Sequence, residues 1–269
     1  MAVGAKAQET VTVDLSVNNG PAANRASGFL HGISPNAPNS SLVNAMKAKF
    51  YRMDDNSAGT GGSNLGIAPA LYSRIAAQGA KTEYIIGDAW IDNVDGKNPS
   101  NLRVVDSSSM SNFIAMVTDI VNNARSNGQT VQWDIWNEPD NTAFWTGSES
   151  QYQTMWQNAV NTIRGIDSTQ VIVGPSTCGC IQQSYSGWST WATDLLSFAK
   201  ANNVLPNVIS LHENDSVDDL TNDANAAKAY LRRMILVLRI SRSTSLPALP
   251  KRICPVPACI TLPLSSAPS

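Results

Sequence analysis

The sequence is poor in charge and has no long apolar run. Only 15% of its 269 residues are charged, and the formal net charge is −2. This balance lacks the basic excess that binds nucleic acids or anionic membranes, so we predict neither partner. No run approaches the roughly 18 apolar residues that cross a bilayer. The chain is therefore globular, with enough residues for one large barrel or two ordinary domains.

Cysteine and histidine are also scarce, with four and two residues. Cys178 and Cys180 are separated by one residue, which is awkward for a bridge between them, and Cys254 and Cys259 lie near the C-terminus. The pairs lack the CxxC spacing of zinc sites, and neither histidine is near them in sequence. We predict no disulfide framework, no metal and no cofactor.

The C-terminal segment differs in composition from the rest of the chain. Residues 231–269 hold six Lys or Arg and six of the 14 prolines, but no Asp, Glu, Gly or aromatic residue. Such a break indicates a segment that was not selected with the rest, as a shifted reading frame or a mis-joined exon would produce. A basic, Pro-rich, disordered extension is the alternative.

The N-terminal residues 1–9 suggest a processed leader. They contain the small-x-small pattern of a signal-peptidase site after Ala7, with too few preceding residues for an apolar region. We interpret them as the remnant of a secretory signal and predict a secreted protein. A disordered N-terminus is the alternative.

Strand-like and helix-like patterns alternate along the chain. Short β-branched or aromatic runs are typical of strands, and the segments between them have helical periodicity. The predicted strands cover residues 10–17, 28–34, 49–55, 82–90, 130–138, 170–177 and 208–215. The predicted helices cover residues 40–48, 65–79, 107–126, 149–166, 188–203 and 221–231. This alternation indicates an α/β protein whose parallel strands are joined by crossovers.

Six βα units can be counted when the first run is set aside as an N-terminal strand. A complete (β/α)8 TIM barrel has eight units and about 250 residues. An open doubly wound sheet is the alternative, but the chain lacks a GxGxxG fingerprint after its first strand and lacks a P-loop. We predict an incomplete TIM barrel over residues 10–230, followed by the atypical tail.

The stretch TVQWDIWNEPDNTAFW, residues 130–145, carries the most specific functional signal. Functional groups of parallel α/β barrels lie where strands end, and Asn137 and Glu138 stand at such an end. The neighbours Trp136 and Pro139 give Glu138 a partly apolar setting, which would raise its pKa and suit a general acid. The alternative is a turn in which Glu138 is solvated.

Other predicted strand ends carry polar and aromatic groups of the kind that hold sugars. These groups are His31, Arg52 with Asp54 and Asp55, Asp88 with Trp90, Ser176 with Thr177, and His212 with Glu213.

The motif WDIWNEPDNTAFW, taken with GFLHGIS, FYRMDD and ISLHEND, resembles the clan A glycoside hydrolases and most of all family 39. The resemblance covers about residues 10–230. It implies a TIM barrel that hydrolyses O-glycosyl bonds of polysaccharides or oligosaccharides with retention. By this resemblance Glu138 would be the acid/base, Asn137 would bind the hydroxyl beside the anomeric carbon, and Arg52 would orient a catalytic carboxylate.

The resemblance also implies roles for residues at the other strand ends. His212 would line the sugar subsite, and His31 and Trp90 would shape the same pocket. We also expect Trp145, in the loop after Glu138, to stack on a sugar. Packing is the preferred interpretation for the remaining tryptophans considered, which are Trp133, Trp156, Trp188 and Trp191.

A retaining glycosidase needs a second carboxylate about 5 to 5.5 Å from the first. The resemblance implies that this nucleophile ends the seventh strand, but the chain has no Asp or Glu after Asp223. The run MILVLRIS, residues 234–241, has the composition of a strand and ends without an acid. Glu213 is the remaining candidate, although it and His212 would point to opposite faces of a regular strand.

Three possibilities therefore stay open for this sequence. The chain is a secreted retaining glycosidase, a carbohydrate-binding pseudoenzyme, or a truncated fragment without a function of its own.

Overall fold

A computed structural model shows six parallel strands with helices between them. It describes residues 27–54, 66–87, 107–142, 144–145, 147–178, 190–212, 217–240, 254–256 and 259–263. The strands are β1 (Gly28–Leu30), β2 (Phe50–Met53), β3 (Lys81–Ile86), β4 (Val131–Ile135), β5 (Val171–Thr177), β6 (Val208–Leu211), β7 (Cys254–Val256) and β8 (Cys259–Pro263). The helices are α1 (Ser40–Met46), α2 (Pro69–Ala76), α3 (Ser107–Ser126), α4 (Glu149–Ile166), α5 (Trp191–Ala201) and α6 (Val217–Ile240).

The first six strands form a curled half-barrel in which each strand pairs in parallel with the next. After β6 the pattern changes, because β8 pairs antiparallel with β6 and β7 pairs antiparallel with β8. The hairpin of β7 and β8 thus occupies the edge of β6 where a complete barrel has its next parallel strand. The prediction of an incomplete (β/α)8 barrel is confirmed.

The bounds of α3 and α4 agree with the predicted ones at both ends. At the start of α4, the Ser148 hydroxyl accepts a hydrogen bond from the backbone of Gln151, whose side chain accepts one from the backbone of Ser148. This capping box satisfies N–H groups that the first helical turn leaves without partners.

Helix α6 corrects one prediction. The run MILVLRIS was expected to suit a strand, but the helix continues through it as far as Ile240. The preceding segment is rich in Ala, and neither Gly nor Pro interrupts residues 217–240, so a helix once begun has no local reason to stop. The predicted domain boundary after residue 230 falls inside this helix.

Alternation gives strands β2 to β4 two different faces, which we call outer and inner. The outer face is apolar and packs against the helices in one core with Leu71 of α2, Phe113 of α3 and Trp156 of α4. Its apolar members on these strands are Tyr51, Met53, Tyr84, Ile86, Val131, Trp133 and Ile135. The residues between these positions point to the inner face, because successive strand side chains alternate.

Two of the tryptophans confirm the packing interpretation, because Trp133 and Trp156 are 1% and 0% exposed. Trp191 is partly buried against the same core, and Trp188 lies outside the described residues. The predicted strand over residues 10–17 also lies outside them. Within the described part of the chain, no helix has the length and apolar character required to span a membrane.

Candidate active site

Backbone hydrogen bonds continue past the ends of the parallel strands and fix the residues that follow them. Four such bonds, of 2.8 to 2.9 Å, run from His31 N to Arg52 O, Trp136 N to Ile86 O, Glu138 N to Ser176 O, and His212 N to Thr177 O. The candidate residues are therefore anchored to the neighbouring strand and do not depend on loops for their position.

Left-handed backbone conformations gather at the same strand ends. The φ angles are 57° at His31, 75° at Trp136, 46° at Glu138 and 52° at Ser176. Such conformations are uncommon for residues other than glycine and cost energy, so the surrounding structure must hold them. Their concentration around Asn137 and Glu138 is typical of a functional site.

Glu138 and His212 meet although 74 positions separate them in sequence. The Nδ1 atom of His212 lies 2.8 Å from Oε1 of Glu138, and the Asn141 amide donates to Oε2 at 3.1 Å. The side chains of Glu138 and His212 are only 15% and 9% exposed. Glu138 does begin a turn, because the Asn141 N–H donates to its carbonyl at 2.9 Å, but its side chain is not solvated as that alternative expected.

The expected rise in the pKa of Glu138 is also wrong, because its pKa is lowered from the ordinary value of 4.5. The hydrogen bond from His212 is the largest cause, and it outweighs the opposing effect of burial. The electrostatic effect of His212, the bond from Asn141 and the charge of Arg52 lower the pKa of Glu138 further. Glu138 is thus an ionised carboxylate at neutral pH.

Asn137 is fixed from the side of the sheet by Arg52. The guanidinium Nη2 donates to Asn137 Oδ1 at 3.1 Å, and Asn137 is 7% exposed. Because the carbonyl oxygen of the amide is held by Arg52, the opposite end of the amide group is its Nδ2 donor. This arrangement makes Arg52 a positioning residue for Asn137.

Arg52 itself belongs to a buried polar cluster on the inner face. Its Nε donates to Glu83 Oε1 at 3.0 Å and to Asp134 Oδ2 at 2.9 Å, and its Nη2 donates to Asp134 Oδ2 at 2.5 Å. The Ser176 hydroxyl donates to Asp134 Oδ1 at 2.6 Å and lies 2.5 Å from the Ser210 hydroxyl. The cluster therefore crosses five strands, from β2 to β6.

Sequence reasoning missed Glu83 and Asp134 as members of the site. A signal for them exists, because each is an acidic residue inside a predicted strand and is followed directly by an apolar residue. A buried charge requires a partner, and Arg52 on β2 is a third charged residue inside a predicted strand.

His31 lies beside Asp54 at the ends of β1 and β2. The distance from His31 Nδ1 to Asp54 Oδ1 is 3.5 Å, and the two side chains are 39% and 6% exposed. His31 thus presents an accessible ring at the edge of the sheet that carries Glu138. Trp90 and Glu213, which were predicted for the pocket and for catalysis, lie outside the described residues, and their roles stay predictions.

Trp145 is buried, so its ring is not available to stack on a sugar as expected. It is 3% exposed, and its indole N–H donates to the Ser148 carbonyl at 3.0 Å. Its ring makes edge contacts with Trp136 and Tyr152, at centroid distances of 5.1 and 5.7 Å. This burial makes Trp145 a support for Trp136, the residue before Asn137.

The described residues supply no evident nucleophile opposite Glu138. Strands β7 and β8 contain no acidic residue, and the inner-face carboxylates Glu83 and Asp134 are 1% and 0% exposed and are held by Arg52. The described residues also contain no group of three or more His, Cys, Asp or Glu side chains that could hold a metal ion.

Comparison with solved structures supports the fold. The chain resembles "N2152" from Neocallimastix frontalis with 23% identity and a TM-score of 0.59, covering 78% of this chain and 49% of that one. It resembles a GH39 enzyme from Xanthomonas axonopodis pv. citri with 16% identity and a TM-score of 0.53, covering 80% and 49%. It also resembles a GH39 beta-xylosidase from Caulobacter crescentus, with 14% identity and a TM-score of 0.50, covering 77% of this chain and 51% of that one. The chain thus spans about half the length of these proteins.

These solved structures share the barrel fold of this chain, in which the Glu138 carboxylate lies at the end of β4. Residues 113–242 match the model of the family described as "Glycosyl hydrolases family 39". The resemblance seen in the sequence is confirmed. No curated protein sequence matches the chain.

Proposed function

We propose that this chain carries the acid/base half of a retaining O-glycosyl hydrolase site for polysaccharides or oligosaccharides. The observation that carries the proposal is the Glu138 carboxylate at the end of β4, held at 2.8 Å by His212. Beside it, Asn137 is held by Arg52 and provides a donor for a sugar hydroxyl. Glu138 is the proton-transferring group, and His212 and Asn141 set its orientation.

The protonation of Glu138 decides which step it serves. An ionised carboxylate is ready to take a proton from the attacking water in the second step of a retaining reaction. In the first step the same group must give a proton to the leaving oxygen, and its lowered pKa opposes this at neutral pH. A second carboxylate a few ångströms away would raise the pKa of Glu138 through like-charge repulsion.

The lack of a nucleophile among the described residues would limit the activity of this chain. Without a nucleophile, the chain binds the sugar but forms no glycosyl-enzyme intermediate, so ordinary turnover is absent. Glu213 is the candidate nucleophile to be tested if turnover is observed.

An external nucleophile provides a direct test. Aryl glycosides of several sugars are offered to the chain with and without azide, and the product is identified by NMR. We expect release of the aryl group only with azide, and formation of a glycosyl azide of inverted configuration. With aryl groups that need a proton to leave, the reaction should be faster at mildly acidic pH, where more of Glu138 is protonated, and should be lost in Glu138→Gln. Release without azide that Glu213→Gln abolishes would show that the chain has its own nucleophile.

A carbohydrate-binding pseudoenzyme is the second candidate. The absence of Asp and Glu after residue 223 favours it, because the chemistry is lost while the strand ends on β1 to β6 remain. Calorimetry with oligosaccharides would then detect binding that Glu138→Gln leaves largely intact, and azide would restore no reaction. Light scattering would identify the third alternative, an unstable fragment, by aggregation of the purified chain.

Secretion and truncation are proposed on the sequence patterns alone. The composition of residues 231–269 supports a shifted reading frame, whose start would lie near residue 242, because the family match extends to that residue. The gene read in the other frames would test it. We expect one of those frames to continue with a strand that ends in Glu.

A further inference from the structure

The buried cluster on the inner face contains one more acidic group than basic groups. Arg52 contributes one positive charge, and Glu83 and Asp134 contribute two carboxyl groups. These residues are 5%, 1% and 0% exposed, so water screens none of them well. A net negative charge in such a place is costly, and a bound proton removes it.

The hydrogen bonds show which carboxyl group is better suited to hold the negative charge. Both oxygens of Asp134 accept hydrogen bonds, Oδ2 from Arg52 and Oδ1 from Ser176. Glu83 accepts one bond at Oε1, from an Arg52 Nε that also bonds Asp134, and its Oε2 is buried without a partner among the described residues. Asp134 is therefore the ionised partner, and Glu83 is the poorer place for a negative charge.

We propose that Glu83 keeps a proton at neutral pH and acts, through Arg52, as a positioning residue for the Asn137 amide. A neutral Glu83 leaves the guanidinium directed at Asp134 and Asn137, which Nη2 contacts at 2.5 and 3.1 Å. An ionised Glu83 would attract the same guanidinium and draw Nη2 away from Asn137. The link to sugar binding rests on the proposed function, whereas the bound proton does not.

The surroundings of Glu83 favour the protonated form. Burial raises the pKa of Glu83 well above 4.5, the like charge of Asp134 raises it further, and Arg52 opposes them. Tyr152 reaches the region from α4, where burial and then Asp134 raise its pKa well above 10, so it is neutral. Glu138 and His212 form their own pair at the ends of β4 and β6.

Infrared difference spectroscopy of the whole chain tests for the bound proton. The spectrum of the wild type minus that of Glu83→Gln at neutral pH is expected to contain the C=O band of the Glu83 carboxylic acid, which the variant lacks. Glutamine has the shape of the protonated acid and should leave the rest of the cluster unchanged. In Asp134→Asn the like charge is gone, so Glu83 ionises beside Arg52 and the band is lost at the same pH. A wild-type spectrum without the band would overturn the proposal.

The positioning role needs a readout that general structural support would not move. We expect the Asn137 side-chain amide resonances to shift as the pH is raised, with the same midpoint as the loss of the infrared band. In Glu83→Gln the resonances should keep their neutral-pH positions and show no such titration. A shift that persists unchanged in Glu83→Gln would contradict the role.

If Glu83→Gln does not fold, the pH titration of the wild type still tests the positioning role. Different midpoints for the infrared band of Glu83 and the amide resonances of Asn137 would show that the two groups are not linked. None of these measurements uses a sugar. Failure to bind or cleave glycosides would count against the proposed function and leave the bound proton in place.

Discussion

Trp133 and Asp134 are neighbours on β4, and they belong to two very different regions of the molecule. Trp133 faces the helices, where apolar side chains fill the core. Asp134 faces inward, where it joins Arg52, Glu83 and Ser176 in a hydrogen-bonded cluster. On the outer face, burial of apolar side chains stabilises the fold. On the inner face, burial of charged groups costs free energy, so these groups must pair with one another.

The largest expected loss of stability comes from the outer face. Trp133→Ala removes a side chain that is 1% exposed and whose indole N–H bonds Gln170 at 2.6 Å. We expect unfolding to become easier by about 3–5 kcal/mol, with little dependence on pH. Urea denaturation at several pH values would measure the loss in free energy of unfolding. A loss that varies strongly with pH would contradict the difference between an apolar outer face and a charged inner face.

Arg52→Met should be nearly as damaging at neutral pH but should differ in its response to acid. It removes the cation from beside Glu83 and Asp134, and breaking such a buried group costs about 3 kcal/mol. The pKa of Glu83 would then rise further, because Arg52 is the group that lowers it, so the stability of the variant falls as pH rises and is largely restored in acid. Equal losses at acidic and neutral pH would disprove this account.

Gly174→Ala tests how tightly the outer face is packed. Gly174 has φ 151°, and an added Cβ would collide with the Trp156 ring, which is fully buried and bonds the Val204 carbonyl. We expect a loss of about 1–3 kcal/mol from overpacking. Alanine at Gly79, which has φ 67° and nothing within 4 Å of the added atom, is the control for alanine at a positive φ without a steric collision.

Glu138→Gln should have the smallest effect on stability, and its pH dependence identifies the His212 contact. The folded-state pKa of Glu138 lies below 4.5, so its carboxylate stabilises the fold above that pH and the contribution disappears as pH falls through the folded-state pKa. The variant should lack this acid-dependent part of the stability curve. Parallel curves for wild type and variant below pH 4.5 would contradict the contact.

Much of the fold could be predicted because local patterns determine it. The alternation of short apolar runs with amphipathic segments gave all six parallel strands, and two helices have the predicted bounds. The residues after Asp223 were harder to interpret. In MILVLRIS the composition suits a strand and a buried helix equally, and the helix that precedes it decided the outcome.

The site was only partly predictable, because its chemistry depends on contacts between distant positions. Asn137 and Glu138 stand in one motif and could be found from it. The direction of the Glu138 pKa could not, because the hydrogen bond from His212 comes from two strands away. Glu83 was missed because its partners Arg52 and Asp134 lie 31 and 51 positions away from it on other strands.

The backbone bonds that join the ends of adjacent strands have a consequence for how this site can change. Glu138 and His212 are fixed by the carbonyls of Ser176 and Thr177, so their positions do not depend on the sequence of the loops that follow. Loops exchanged between relatives would therefore change the surroundings of Glu138 and leave its position unchanged. Under the proposed function, new sugar specificities could then arise by recombination of loops, with the proton-transfer group kept in place.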